Sequence, residues 1–345
     1  MILSGRWLGF AACLLTLPLL VCGSCRKNSA SAQRQVVIYC SVDQELAASL
    51  LARFEKKTGV KVMAKYDNED RKVVALTQRL LEEKDAPAAD VFWSGEVFHT
   101  IQLARQGVLA PYHSDRTKDW PARFADAQGR WYGFGCRARV IAYSATRVKP
   151  QDAPRKLEDL LDAKWKGRIV MANPAFGTTS DDVAGWFAHY GPARAEEILR
   201  GLKANEVRTC AGNSDAVSMV SNGQADAALS DTDDVFSAQR ENMPVAFNFL
   251  RQGDEGPLVF PTTAAMVQGA PHASEAAELM EFLLSDEMEQ ALIAGDSHNT
   301  PVRAKGIPAD FAKYMVPIGE ALPIDYEAIA GQLDLAIRRS GEILR

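Results

Sequence analysis

From residue 36 onward, short apolar runs alternate with amphipathic stretches. Residues 36–40 (VVIYC) are continuously apolar, the pattern of a strand buried on both faces. Asp43 then stands where a helix N-cap is expected. Leu46, Leu50, Leu51 and Phe54 share one face of the following helix, and Gly59 closes it. Residues 60–64 read as the next strand, 72–83 as a second amphipathic helix and 90–93 as a short strand. Further strands are expected at 139–143, 168–172, 207–210, 225–230 and 245–249. Helices are expected at 157–161, 182–190, 193–203, 216–222 and 235–241. Strands separated by helices predict an α/β fold whose sheet is largely parallel and covered on both faces. No internal repeat of solenoid length interrupts the pattern.

The first residues break this rhythm. Arg6 precedes an apolar run at 7–21, which contains Pro18 and leads into Cys22-Gly23-Ser24-Cys25. A basic residue, a short apolar stretch and a small-residue site describe an export signal rather than a spanning helix. Residues 1–24 are thus expected to be a signal peptide of lipoprotein type, with Cys25 as the lipidated residue. Cleavage after Ala32 and retention as an uncleaved anchor are the alternatives. Residues 25–35 are polar and small, as a tether would be. The mature chain is expected outside the cytoplasm, periplasmic or anchored to the membrane through lipid alone.

Composition narrows the class. With 345 residues, 47% of them hydrophobic and 24% charged, the chain suits two folded domains or one large one. A net charge of −5 offers no basic face for nucleic acid. Three of six cysteines lie in the leader, leaving Cys40, Cys136 and Cys210 with no metal or redox spacing. They either pack as small apolar residues or converge on one cleft. The five histidines are isolated in sequence, and no Walker loop or nucleophile elbow is present. The one enzyme reading that can be built uses Cys136 beside Arg137, which lacks a general base. The expectation is therefore a binding protein, not an enzyme.

Seven blocks in order give that expectation a family. They are VVIYCSVDQELAASLLARFEKKTGVKV, ADVFWSGEV, WYGFGCRARVIAYSATRV, KWKGRIVMANPAFGTTS, GLKANEVRTCAGNSDAV, NGQADAALSDTDD and TTAAMVQGAPHASEAAELMEFLLSDE. Together they resemble bacterial extracellular solute-binding proteins of the ferric-iron-binding type across residues 36–290. The resemblance implies a type II-like two-lobed fold, with two mixed sheets joined by hinge strands around a cleft. Lobe I would comprise residues 36–138 and about 264–305, and lobe II residues 139–263 and about 306–345. It also implies a monomer that delivers a small ligand to the permease and ATPase subunits of an ABC importer. Related members take ferric iron, thiamine, polyamines or phosphonate-like anions. A sensor that reports occupancy to a receptor would use the same cleft.

In such folds ligands lie at the carboxyl ends of strands. Four segments of the chain reach that position. Ser41 and Asp43 follow the first strand and either hold an oxyanion or cap the helix. Trp93, Ser94 and Glu96 follow the strand at 90–93, with Trp93 an apolar wall or a core residue and Glu96 a carboxylate. Arg137 and Arg139 share one side of the crossover strand, since alternate strand residues point the same way. Two guanidiniums there suit an anion, and a salt bridge within the protein is the alternative. The resemblance implies that such an arginine holds a synergistic anion beside the metal, with Arg139 first and Arg137 second. Thr178 and Thr179, within Phe176–Ser180, stand before a helix. Their hydroxyls suit an oxyanion, although Asp181 and Asp182 already occupy that end of the helix dipole. Finally, Asp231, Thr232, Asp233 and Asp234 end the strand at 225–230. Three carboxylates within four residues attract a metal or an ammonium group, or cap the next helix.

The chain departs from the iron-binding pattern at one point. Members of that type present adjacent tyrosines late in lobe two, and none of the eight tyrosines here adjoins another. The Asp231–Asp234 stretch stands in their place. Ferric iron, ligated by Asp231, Asp233 and Asp234 with a synergistic anion, is the first expected cargo. A zwitterion such as an aminophosphonate is the second, its amine on the carboxylates and its anion on Arg139, Thr178 and Thr179. Replacing Arg139 or Asp233 with alanine is expected to weaken binding and leave the fold intact.

Overall fold

In the computed structural model, which describes residues 33–66, 74–175, 177–295, 298–303 and 307–345, the chain opens with β1 (Gln35–Cys40), α1 (Gln44–Thr58), β2 (Lys61–Tyr66), α2 (Val74–Glu82), β3 (Val91–Ser94), α3 (Phe98–Arg105) and β4 (Leu109–Ala110). It continues through β5 (Tyr132–Ser144), β6 (Ile169–Ala172), α4 (Gly177–Tyr190), α5 (Pro192–Ala204), β7 (Arg208–Cys210) and α6 (Asn213–Ser221). There follow β8 (Ala227–Asp231), α7 (Thr232–Arg240), β9 (Val245–Phe249) and β10 (Val259–Val267). Helices α8 (Ala273–Leu283), α9 (Asp286–Ala294), α10 (Tyr326–Ala330) and α11 (Leu333–Leu344) complete the order. The expected leader with Cys25, and Phe176, lie outside the described residues.

Local chemistry explains the first unit. The Asp43 carboxylate accepts hydrogen bonds from the backbone N–H groups of Glu45 (3.0 Å) and Leu46 (3.2 Å), which satisfies two of the open donors of α1. Gly59 ends the helix at φ 72°, a left-handed conformation in which a side chain is disfavoured. Leu50, Leu51 and Phe54 are buried along one face, and the Phe54 ring centroid lies 5.6 Å from that of Phe282 on α8. Other elements differ from the periodicity. Residues 157–161 form a single 3-10 turn, and α4 begins at Gly177, five residues before the expected start. Strand β5 begins seven residues before its expected start at 139.

That longer β5 is what joins two sheets. In the first, β2, β1 and β3 are parallel, β10 runs antiparallel to β3, and β4 pairs with the end of β10. The first half of β5 closes this sheet by pairing antiparallel with β10, with a bulge between Pro261 and Thr262. Its second half enters the other sheet, flanked by β8 and β9, both antiparallel to it. Parallel strands β6 and β7 extend that sheet beyond β8. Strand β5 thus crosses from the first sheet into the second, and β10 pairs with its first half. Apolar residues of β1 and β3, including Ile38, Val91 and Phe92, are fully buried in the first sheet.

Arg139 stands where β5 changes sheets. Its N–H donates to Leu258 O (2.9 Å), and its own carbonyl accepts from Leu250 N (3.0 Å). In register it lies directly opposite Asp231, the last residue of β8. Its side chain has 0% exposure; Nη1 lies 2.8 Å from Asp231 Oδ1 and Nε 3.0 Å from Asp182 Oδ2. Strand β5, strand β8 and helix α4 are thus tied by one buried cation. At the opposite end of β8, Asp226 accepts from Arg147 Nε (2.7 Å) and Arg168 Nε (2.6 Å), which fastens the ends of three strands.

The expectation that Arg139→Ala spares the fold is corrected by this geometry. Breaking one partner out of a buried ion pair leaves the others uncompensated. Arg139→Ala is expected to lower unfolding stability by about 3–5 kcal/mol, read from urea midpoints at pH 7. Burial works to raise the Asp226 carboxyl, but hydrogen bonds from Arg147 and Arg168 more than offset it and hold it below its ordinary 3.8. A depressed carboxylate stabilises the fold above its unfolded value and loses that contribution as pH falls through the folded one. Asp226→Asn is therefore expected to cost about 1–2 kcal/mol at pH 7. The gap to wild type should narrow only below pH 3.8, and a gap that narrows above pH 5 would contradict the pairing.

Candidate functional site

The carboxyl end of β8 gathers charged groups from four elements. Asp231 ends the strand, and Asp233 and Asp234 occupy the first turn of α7. The first turn of α4 contributes Thr178 and its second turn Asp181 and Asp182. Asn213 and Ser214 open α6, and Arg137 lies two residues before Arg139 on β5. One oxygen from each of Asp231, Asp233 and Asp234 lies within 4.8 Å of the others.

Asp231 is the most heavily bonded of the three. Its Oδ1 meets Arg139, while its Oδ2 accepts from Thr178 Oγ1 (2.5 Å) and Asn213 Nδ2 (2.9 Å). Arg137 Nε stands 3.6 Å from the same Oδ2. Asp234 accepts from Ser214 Oγ (2.6 Å) and Ser230 Oγ (3.2 Å). In contrast, Asp233 Oδ1 and Asp181 Oδ2 are buried with no hydrogen-bond partner among the described residues.

Burial dominates the titration of these acids. Burial pushes Asp234 up to about 7, and the adjacent charges of Asp233 and Asp231 add to the effect. Burial also raises Asp233, against the pull of Arg137. Asp181 is raised well above the usual carboxylate range by burial and by the charge of Glu96, which reaches it from the end of β3. Burial disfavours the Arg137 cation, yet Asp233, Asp231 and Asp234 more than compensate and raise its value. Five acidic groups (Asp181, Asp182, Asp231, Asp233, Asp234) thus face two guanidiniums, and burial holds Asp181, Asp233 and Asp234 toward their neutral forms. A cation is the ligand that favours their ionised forms.

The remaining candidates from sequence are positioned by the fold as follows. Asp43 is an exposed helix cap. Ser41 Oγ accepts from Gly95 N (3.0 Å) and donates to Ser94 Oγ at 3.5 Å, so both hydroxyls are spent within the first sheet. Trp93 is fully buried, its ring beside Phe134 and its Nε1 donating to Thr262 Oγ1 (3.0 Å); it is a core residue, not a wall of the cleft. The Glu96 carboxylate accepts from Phe98 N (2.6 Å) and His99 N (3.1 Å) and pairs with His99 Nδ1 (2.8 Å). Thr232 Oγ1 accepts from Ala138 N (3.2 Å), which stitches the start of α7 to β5. Thr179 Oγ1 donates to Asn213 Oδ1 (3.0 Å). Arg139 is sealed between two aspartates, whereas the Arg137 side chain keeps 22% exposure, so the order of the two arginines is reversed. Cys40 and Cys136 are fully buried, and burial pushes the Cys40 thiol up to about 12, far from a nucleophile's range.

Four contributors lie outside the sequence candidates: Asp181, Asp182, Asn213 and Ser214. Sequence position makes Asp181 and Asp182 an obstacle to anion binding, yet the unpartnered oxygen of Asp181 joins the acid cluster and Asp182 pairs with Arg139. Asn213 had no signal except its place before an expected helix, in the NSDAV segment.

Known proteins share this architecture. The chain is 29% identical over 300 residues to iron uptake protein A1 of Synechocystis sp., covering 84% of this chain and 80% of the relative. It is 29% identical over 264 residues to a putative 2-aminoethylphosphonate-binding periplasmic protein of Salmonella typhi, covering 74% of each. The crystal structure of iron-bound HitA from Pseudomonas aeruginosa superimposes with a TM-score of 0.79 at 26% identity, over 89% of this chain and 99% of that one. A family model described as bacterial extracellular solute-binding protein matches residues 49–314. With most of its length inside that match and the two-sheet frame in common, the chain belongs to the bacterial extracellular solute-binding proteins.

Proposed function

We propose that this protein is the substrate-binding component of an ABC importer and that its cargo is ferric iron. The observation that carries the cargo assignment is the convergence of Asp231, Asp233 and Asp234 within 4.8 Å at the end of β8. Hard cations take oxygen ligands, and carboxylates supply them where the tyrosine pair is missing. Asp233 and Asp234 would contact the ion, with Asp231 behind them. The iron-related names of relatives from Synechocystis and Pseudomonas support the same cargo.

Capture proceeds by closure of the lobe made of residues 36–138 and about 264–305 onto that made of 139–263 and about 306–345. The β5–β10 crossing is the hinge. The charge of Glu96 already acts on Asp181 of α4, and a bound cation would offset that repulsion. No helix among the described residues is long and apolar enough to cross a membrane. A periplasmic chain, anchored through Cys25 after removal of residues 1–24 and acting as a monomer, presents the closed form to the permease and ATPase. No catalytic step is involved.

A second reading has its own observation. The exposed edge of Arg137 lies beside the carboxylates, so an aminophosphonate could set its amine on Asp233 and Asp234 and its anion on Arg137. A thermal-shift panel separates the readings, because a ligand of the native state raises the midpoint by mass action. Ferric citrate should shift the mature protein, and 2-aminoethylphosphonate, thiamine and spermidine should not. A shift with the aminophosphonate and none with iron would replace the first reading with the second. Asp233→Ala should weaken iron binding at least about tenfold, or roughly 1.4 kcal/mol, with the ligand-free melting midpoint unchanged. Undiminished affinity would remove Asp233 from the site.

A further inference from the structure

Around Asp231 the fold has built an anion pocket and filled it with its own side chain. Thr178 at the start of α4, Asn213 at the start of α6, and the two arginines of β5 all direct donors at one carboxylate. These are the groups that would otherwise grip a phosphate or a carbonate: a hydroxyl, an amide and two guanidiniums around a helix N-terminus. Asp231 has 2% exposure; Arg139, Thr178 and Asn213 hydrogen-bond its two oxygens, and Arg137 adds an ion pair at 3.6 Å. An incoming anion would have to displace it and then face Asp181, Asp233 and Asp234 from close range.

We infer that Asp231 is a resident counter-anion, and that this cleft takes its cation without a co-bound exogenous anion. The inference rests on the cation reading of the same site and changes what accompanies the cargo. It replaces the expectation of a synergistic anion on Arg139. It also separates the acids by role: Asp231 neutralises the arginines, and Asp233 and Asp234, with acceptor capacity left, face the ligand. Specificity follows, since a cleft that supplies its own anion does not select among the phosphate, carbonate or citrate salts of its cargo.

Two measurements test this, and one needs no cargo. Inorganic phosphate titrated calorimetrically into the ligand-free wild type should give no binding up to about 10 mM, whereas Asp231→Ala, checked for folding by circular dichroism, should bind phosphate at about 1 mM or tighter. Phosphate binding by the wild type, or a folded Asp231→Ala that stays silent, overturns the inference. The second measurement keeps the wild type decisive should the variant fail to fold. Terbium(III) chloride, a hard trivalent probe followed by its luminescence, is titrated with and without 10 mM sulfate at constant ionic strength. Equal affinity is expected. A gain of about tenfold or more with sulfate would show an open anion site and overturn the inference. Absence of terbium binding would count against the cation reading of the cleft, and the phosphate titration would still decide the state of the pocket.

Discussion

A single buried guanidinium holds this molecule's arrangement in place. Arg139 sits where β5 leaves one sheet for the other, and it can be buried there only because Asp182 and Asp231 meet it from α4 and β8. Two charges brought together out of water need both close contact and further hydrogen bonds. Those further bonds come from Thr178 and Asn213 to Asp231 and from Trp186 Nε1 to Asp182 (3.1 Å). The ion pairs at one strand position therefore tie α4 and, through Asn213, the start of α6 to the end of β8. The ligand-facing acids on α7 inherit their position from the same constraint, because they follow Asp231 directly.

This arrangement gives the cleft an electrostatic character set in layers. At the floor, opposite charges are matched and inaccessible. Above it lie Asp233, Asp234 and Asp181, which burial drives toward the neutral form and which Arg137 alone counterbalances at close range. Groups whose ionisation is suppressed by desolvation are poised to ionise when a cation arrives. The imbalance is local: the chain as a whole carries a net charge of only −5.

Much of the frame was legible in the sequence, for identifiable reasons. The apolar run of β1, the Asp43 cap and the Gly59 terminator specify their unit locally, and the structure follows them. The shared side of Arg137 and Arg139 followed from strand geometry, and both do face the acids. What the sequence hid was tertiary. The segment at 177–181 contains glycine, threonines and serine, which favour turns, so the start of α4 was placed too late; its helical turn is stabilised by bonds to Asp231 and Asn213, far along the chain. Trp93 looked like a cleft residue because nothing local reveals that Thr262 of β10 waits for its indole N–H. Which of two arginines is sealed and which is reachable depends on register with β8, a pairing that separates residues by 92 positions.

The two-sheet strand also determines what evolution or a designer is free to alter. Residues 139, 182 and 231 form one inseparable set, since any one exchanged alone strands a charge in the interior. Asp181 and Asp233 each keep a buried carboxylate oxygen with no hydrogen-bond partner among the described residues, and Asp234 is held to the frame by two serine hydroxyls rather than by a buried cation. The modular boundary of this binding cleft therefore falls where β8 meets α7, between Asp231, the last strand residue, and Asp233, two positions later in the first helical turn. A library aimed at new cargo would vary the latter and leave the former alone, because retuning selectivity there does not reopen the question of whether the chain folds.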